Sequence, residues 1–315
     1  MVRALLIAGI LAFAGPALAG PTAVIGGVTV NRYDYALKAG YDGARPLSLA
    51  PSTNEGWTPK SPTDYPQQWP EAWITWGQPF APYVFASDAA IMLGESRRDG
   101  DPWIYQQMAL NLDAMAMELT ETLPSGATQI VHRFGYDVGE NFAMPAGFRG
   151  AFANSMVAIG YLHFYEMDRQ PAYLIKAQKM LDGITDVSGK QRLFTVDSGG
   201  FIWFEEVIAG DKAMGVYNGH MAAVFAMLEY RRVTKSTRYD PAIEAGITTM
   251  AHWLPVQRRP EGYFAYSRDF PTTPDYGQER AVFMVEALCS VTSDFGLCGE
   301  AKAFRQDFTY RATKR

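Results

Sequence analysis

Glu205 and Glu206 stand side by side in an otherwise apolar run, Phe201-Ile202-Trp203-Phe204-Glu205-Glu206-Val207. Two adjacent carboxylates among aromatic and branched side chains do not read as a solvated face. Burial among such neighbours raises a carboxyl pKa and makes the group usable as an acid or base near neutrality. A second group follows in Tyr263, Tyr266, Arg268, Asp275 and Tyr276. A phenol, with an ordinary pKa of about 10, is a ready proton donor and needs that pKa lowered to serve as a base. A third group, Arg133, Asp137, Glu140, Arg149 and Asn154, precedes a helix-like run. Arg149 lies near that helix start, where a side chain could bind a substrate carboxylate or form a surface ion pair. Asn218-Gly219 opens another helix, and its first reading is an N-cap. His220, on a buried helix, reads as a core residue rather than a catalyst.

Other chemistry is excluded by what the chain lacks. It has no Gly-rich phosphate loop, no Gly-x-Ser-x-Gly elbow and no His-Glu-x-x-His pair. Two cysteines and four histidines argue against a structural zinc site, and no redox cofactor or metal is implied. The formal net charge of −5 argues against a broad electrostatic hold on nucleic acid or anionic membrane. It leaves room for a local arginine pocket that binds a carboxylate.

The elements that must position these residues are helical. Helix-like runs restart with proline in the first turn at Asp101-Pro102, Gln170-Pro171 and Asp240-Pro241. Proline costs nothing at a helix's first position, and an aspartate before it can cap the free amides. Apolar stripes predict four helix pairs: 83–95 with 101–123, 151–167 with 171–184, 219–232 with 240–254, and 278–291 with 299–308. Pro255 is expected to stop the helix before it. The leading helix of each pair is apolar on most sides and the trailing one amphipathic. A buried inner layer within an amphipathic outer layer predicts a mainly α fold, an incomplete α/α toroid of about four helical hairpins. The connections between pairs, 124–150, 187–217 and 255–277, contain short strand-like pieces at Thr128–His132, Arg192–Val196 and Tyr263–Tyr266. All three are expected to emerge at one end of the ring, where the inner helices begin and their free amides favour an anion.

The ends of the chain read differently. Met1-Val2-Arg3, the apolar Ala4–Phe13 and Ala17-Leu18-Ala19 form a secretory signal peptide over 1–19, cleaved after Ala19. No later stretch has the roughly 20 apolar residues of a membrane span. The mature chain is therefore expected to be secreted or periplasmic. In that oxidising compartment Cys289 and Cys298 are expected to form a disulfide. Residues 20–80, rich in Pro, Trp and Tyr, are expected to form an irregular arm beside the toroid of 81–315.

The motifs now resemble a known family, the C-terminal catalytic domain of D-glucuronyl C5-epimerases. Trp203-Phe204-Glu205-Glu206 followed by Asn218-Gly219 is similar to the family's Trp-Tyr-Glu-Glu-Tyr-Pro and Leu-Asn-Gly. Tyr266-Ser267-Arg268 is similar to Tyr-Asp-Leu-Arg with one residue fewer, Asp275-Tyr276 to Trp-Asp-Tyr-His, and Ala151–Ser155 to Ala-Met-Ala-Gln-Gly. The resemblance covers about 145–290 and agrees with the helical hairpins. It implies catalytic roles for Glu206, Tyr266 and Tyr276; Arg149, Asn154, Glu205, Asn218 and Arg268 are expected to bind the substrate. Val207 stands where the family has an active-site tyrosine, and Asn154 stands for a glutamine.

The reaction this implies is epimerisation of a uronate residue in a polysaccharide. A proton leaves C5, α to the carboxylate, and another returns from the opposite face. The same enolate could instead expel the C4 oxygen, which makes a polysaccharide lyase the alternative. A glycoside hydrolase pairing Glu205 or Glu206 with Asp137 or Asp275 also stays open. So does a glycan-binding protein using Trp57, Trp69, Trp73 and Trp76. A homodimer is compatible with all four.

Overall fold

In the computed structural model the described residues are 20–38, 120–132, 136–137, 143–259, 262–269 and 278–314. The expected signal peptide, the first helix pair up to residue 119 and Tyr276 lie outside them. The order of elements is β1 (Thr22–Ile25), β2 (Val28–Asn31), β3 (Thr120–Thr122), β4 (Thr128–Ile130), β5 (Tyr136–Asp137) and β6 (Ala143–Met144). Then come α1 (Ala151–Asp168), α2 (Pro171–Thr185), β7 (Phe194–Val196), β8 (Ile202–Phe204), β9 (Ile208–Ala209) and β10 (Lys212–Ala213). The chain continues with α3 (Tyr217–Thr234), α4 (Asp240–Gln257), β11 (Arg258–Arg259), β12 (Tyr263–Phe264), α5 (Gln278–Thr292) and α6 (Phe295–Lys314).

The expected hairpins are therefore present as α1–α2, α3–α4 and α5–α6, mostly within two or three residues of the stripes that predicted them. The inner layer is real for α1 and α3. Every side chain from Ala151 to Phe164 and from Tyr217 to Tyr230 is buried. In contrast α2 keeps its buried positions to Ala177, Met180, Leu181, Gly183 and Ile184, with Lys176 and Lys179 on the wetter side. α1 packs against both α2 and α3, so the two buried helices form the centre of the core. The described residues contain three hairpins, and ring closure stays an expectation.

Four local expectations need correction. Pro255 does not end α4, which runs through it to Gln257. A proline in the last turn forfeits one ladder bond without breaking the turns before it. Asp240 does not cap α4; its carboxylate takes Arg231 Nε at 3.0 Å instead. Residues Thr120–Thr122 are not the end of a helix but strand β3, paired with β4. The arm is not irregular at its start, because β1 and β2 form an antiparallel hairpin through Gly26 and Gly27, both at positive φ. A Gly-Gly pair between two alternating runs carries that hairpin signal in the sequence itself. The hairpin buries Ala23, Ile25 and Val30 in the main core, and Arg32 ties it to α4 through Glu244 at 2.5 Å.

The Cys289–Cys298 disulfide is formed, between α5 and α6. Among the described residues no helix is long and apolar enough to cross a membrane. One buried charged network crosses the α1–α3 interface. Arg232 bridges Glu166 and Glu229, and His163 Nε2 lies 3.2 Å from Glu229 Oε1. Burial pushes the Glu229 carboxyl up, but Arg232 and His163 outweigh it and hold the pKa down at about 2.

Candidate functional site

Three connectors meet at the ends where α1 and α3 begin. Arg149 pairs with Ile208 as an antiparallel bridge, their amides donating to each other's carbonyls at 3.0 and 2.7 Å. Ala151 N–H, in the first turn of α1, donates to Glu205 O at 2.7 Å. Val216 and Ser267 form a second antiparallel bridge, and Tyr217 N–H donates to Tyr266 O at 3.2 Å. These helix-terminal amides are satisfied by the connectors' own carbonyls. The connectors are thus sewn to the helix starts and to one another.

The seam brings Tyr266 to Glu206. The Tyr266 hydroxyl donates to Glu206 Oε1 at 2.9 Å, across 60 residues of chain. Glu206 is 9 % exposed, at the edge of the core. Two glycines set its place. A Cβ on Gly150 would stand 1.8 Å from Glu206 O, and one on Gly219 only 2.3 Å from Glu206 Cβ. The Glu206 backbone is therefore gripped between the residue before α1 and the first turn of α3. Tyr266 in turn packs on a small apolar cluster of Met144, Phe148, Val207, Met214 and Val216. Val207, where the resembled family has a tyrosine, is one of the walls of that cluster.

Glu205 faces the other way. It is fully buried; Thr195 Oγ1 donates to its Oε1 at 2.5 Å and Gly215 N–H to its Oε2 at 2.9 Å. Burial pushes its pKa up, opposed by these two bonds and by the charge of Arg268. Arg268 lies with its guanidinium 4.8 Å from the Trp203 ring centre and 5.9 Å from that of Trp253. Its Nε and Nη2 hold Asp269 at 2.8 and 2.6 Å. Asp269 and Trp203 escape the sequence reading as partners of Arg268, since only folding stacks Trp203 against that guanidinium.

The remaining candidates are distributed as follows. Asn218 lies inside α3 rather than capping it, because the helix begins at Tyr217 and Val216 takes the cap position without a side-chain bond. It is 2 % exposed, adjoins the Gly219 that touches Glu206, and its Nδ2 is buried without a partner. Asn154 accepts from Ile130 N–H at 2.9 Å and donates to Thr128 O and Met180 O at 2.8 and 2.9 Å. It clamps β4 to α1 and α2. Arg149 is ion-paired with Glu121 of β3. His220 accepts Phe204 N–H at Nδ1, 3.0 Å, so Nε2 carries the proton toward Gly246 O, also 3.0 Å away. Burial lowers its pKa to about 4, which keeps it a neutral core residue. No group of three potential metal ligands occurs among the described residues.

The arrangement thus offers a hydrogen-bonded carboxyl–phenol couple at the edge of the core, beside a buried carboxamide at the start of α3. Residues 126–269, which hold every one of these side chains, match the family model of the D-glucuronyl C5-epimerase C-terminus. Enzymes of that family are uronyl C5-epimerases, which are isomerases. No curated protein matches the chain.

Proposed function

We propose that this protein is an exported uronyl C5-epimerase that acts on uronate residues of a polysaccharide, of the D-glucuronate to L-iduronate type. The observation that carries the reading is the Tyr266–Glu206 hydrogen bond, lying inside the stretch that matches the epimerase family. Abstraction of the C5 proton needs a base within hydrogen-bond reach, and reprotonation needs an acid on the opposite face of the sugar. Glu206 with Tyr266 serves one face as a single couple. Tyr276, beyond the described residues, serves the other. As the proton leaves, negative charge grows on the substrate carboxylate, and donors already in place at that position lower the barrier most. Asn218 Nδ2 and Arg268 are assigned to it, the substrate carboxylate taking Arg268 over from Asp269. Arg149 and Asn154, committed to Glu121 and to backbone groups, take no part in the proposed contact with substrate.

Export is supported by the disulfide and by the basic-apolar-small pattern of residues 1–19. The test is incubation of the mature protein with unsulfated glucuronate-containing polymers in deuterated water. Deuterium at C5 without a new C4–C5 double bond is the expected result. Ultraviolet absorbance from such a double bond would assign elimination instead, and the absence of both signals across several polymers would end the C5 reading.

A further inference from the structure

We propose that Glu205 is a positioning residue, whose buried carboxylate holds the Tyr266 segment in register with Glu206 through Gly215. The inference rests on the C5 reading above and removes Glu205 from the groups that meet substrate.

Gly215 is the hub of the argument. Its N–H donates to Glu205 Oε2 at 2.9 Å, and its carbonyl accepts Arg268 N–H at 2.9 Å. It adopts φ +59°, and a Cβ there would lie 2.9 Å from Arg268 Cβ. A glycine is therefore needed both for the backbone conformation and for the close approach. The flanking residues complete the clasp. Ser267 Oγ donates to Met214 O, Val216 bridges Ser267, and Tyr217 N–H reaches Tyr266 O. Residues 214–217 and 266–268 are thus tied together as one piece, and Tyr266 belongs to that piece.

Glu206 belongs to another piece, continuous with β8. Glu205 is the side chain that reaches from β8's end to the Gly215 hub. Its far oxygen is anchored by Thr195 of β7, the partner strand of β8. The carboxylate consequently sets the distance between the strand end that carries Glu206 and the segment that carries Tyr266. Fully buried and with both oxygens already accepting bonds, it is placed to brace rather than to bind a sugar.

A brace and a charge make opposite predictions. Glu205→Gln keeps the shape: its oxygen accepts Gly215 N–H, and its amide donates to Thr195 Oγ1, since a hydroxyl can also accept. Glu205→Leu fills the space but leaves the Gly215 N–H unpaired. The experiment follows deuterium incorporation at C5, together with the fluorine resonance of 3-fluorotyrosine placed at position 266. Glu205→Leu should lower kcat/KM about tenfold or more, because a misplacement near 1 Å suffices for such losses. It should also move the fluorine resonance, while Glu205→Gln preserves both. Thr195→Val, which removes one anchor, should move the resonance in the same direction by less, and it decides the matter if the leucine variant does not fold. A glutamine variant as inactive as the leucine variant would overturn the brace, as the charge itself would then be required. So would an unmoved resonance in Glu205→Leu or, should that variant not fold, in Thr195→Val. A wild-type protein that incorporates no deuterium would sink the C5 reading, while the resonance still decides the brace.

Discussion

Tyr266 and Glu206 are joined by a 2.9 Å hydrogen bond from the phenol to Oε1, although they sit on two different connectors. The bond couples their protonation. Whichever of the two gives up a proton finds the other in place to share the change. Glu206→Gln should lower C5 exchange by about a hundredfold or more, the usual range for loss of a general acid–base group. Tyr266→Phe should produce a loss of similar order while leaving the fold unchanged, because the ring still packs on the Val207–Met214 cluster. Exchange rates with circular dichroism on the same samples check both. Full activity in both variants would remove the couple from the mechanism.

The two glycines against Glu206 should resist substitution even though alanine is the better helix former. Gly219 lies in the first turn of α3, where alanine would ordinarily gain up to about 1 kcal/mol. Its Cβ would instead stand 2.3 Å from Glu206 Cβ. Overpacking of this kind costs about 1–3 kcal/mol. Gly219→Ala is therefore expected to lower the thermal midpoint by a few degrees and to reduce exchange. Gly150→Ala, whose Cβ meets the Glu206 carbonyl at 1.8 Å, should be the more harmful of the two. Thermal melts rank them directly.

Two buried histidines make a prediction with a definite sign. Burial lowers His132 and His220 from an ordinary 6.5 to about 4. Between those values the unfolded chain binds protons that the folded chain does not, so folding stability falls as pH drops from about 6.5 towards 4. Glu229 acts lower on the scale. Its pKa is held at about 2, below the ordinary 4.5, so the stability it contributes is complete above 4.5 and lost as pH falls towards 2. Urea midpoints measured from pH 7 to 4 should decline, and His220→Gln should flatten part of that decline. A His220→Gln variant whose midpoint falls with pH as steeply as the wild type's would contradict neutral burial of His220.

Reduction of Cys289–Cys298 should weaken the fold without abolishing it. The bond closes a loop of sequence separation 9 between α5 and α6. By chain entropy that is worth about 2.5 kcal/mol. The urea midpoint should shift down on reduction, and a Cys289→Ser, Cys298→Ser double variant should match the reduced protein. Exchange at C5 should persist in both, since Glu206, Asn218 and Tyr266 are held by the starts of α1 and α3 and by backbone bonds among the connectors rather than by the α5–α6 turn.

How much of this was legible before folding can be judged residue by residue. The stripes Leu174–Ile184 and Ile243–Leu254 gave α2 and α4, because a helix's apolar period is a local property of the chain. The Gly26-Gly27 hairpin carried a local signal too. Glu206, Tyr266, Arg268 and Asn218 could be singled out by type and neighbourhood. Their partners could not. Nothing in the spacing of Asn154 says that it clamps Thr128 and Met180, or that Arg149 is held by Glu121. Glu205 and Glu206 are indistinguishable as adjacent letters, yet one is locked between Thr195 and Gly215 and the other faces Tyr266.

By itself the sequence determined the helical hairpins, the disulfide and the chemical types available at the connector ends. These follow from periodicity, from cysteine usage and from which side chains can carry protons, all of which are read along the chain. The division of labour between the two glutamates was decided by tertiary structure alone. Successive side chains leaving the end of β8 diverge, so one turns inward to the Gly215 hub and the other outward to the phenol. Which turns which way depends on Gly150 and Gly219 gripping one backbone position, and that grip exists only once α1 and α3 have packed.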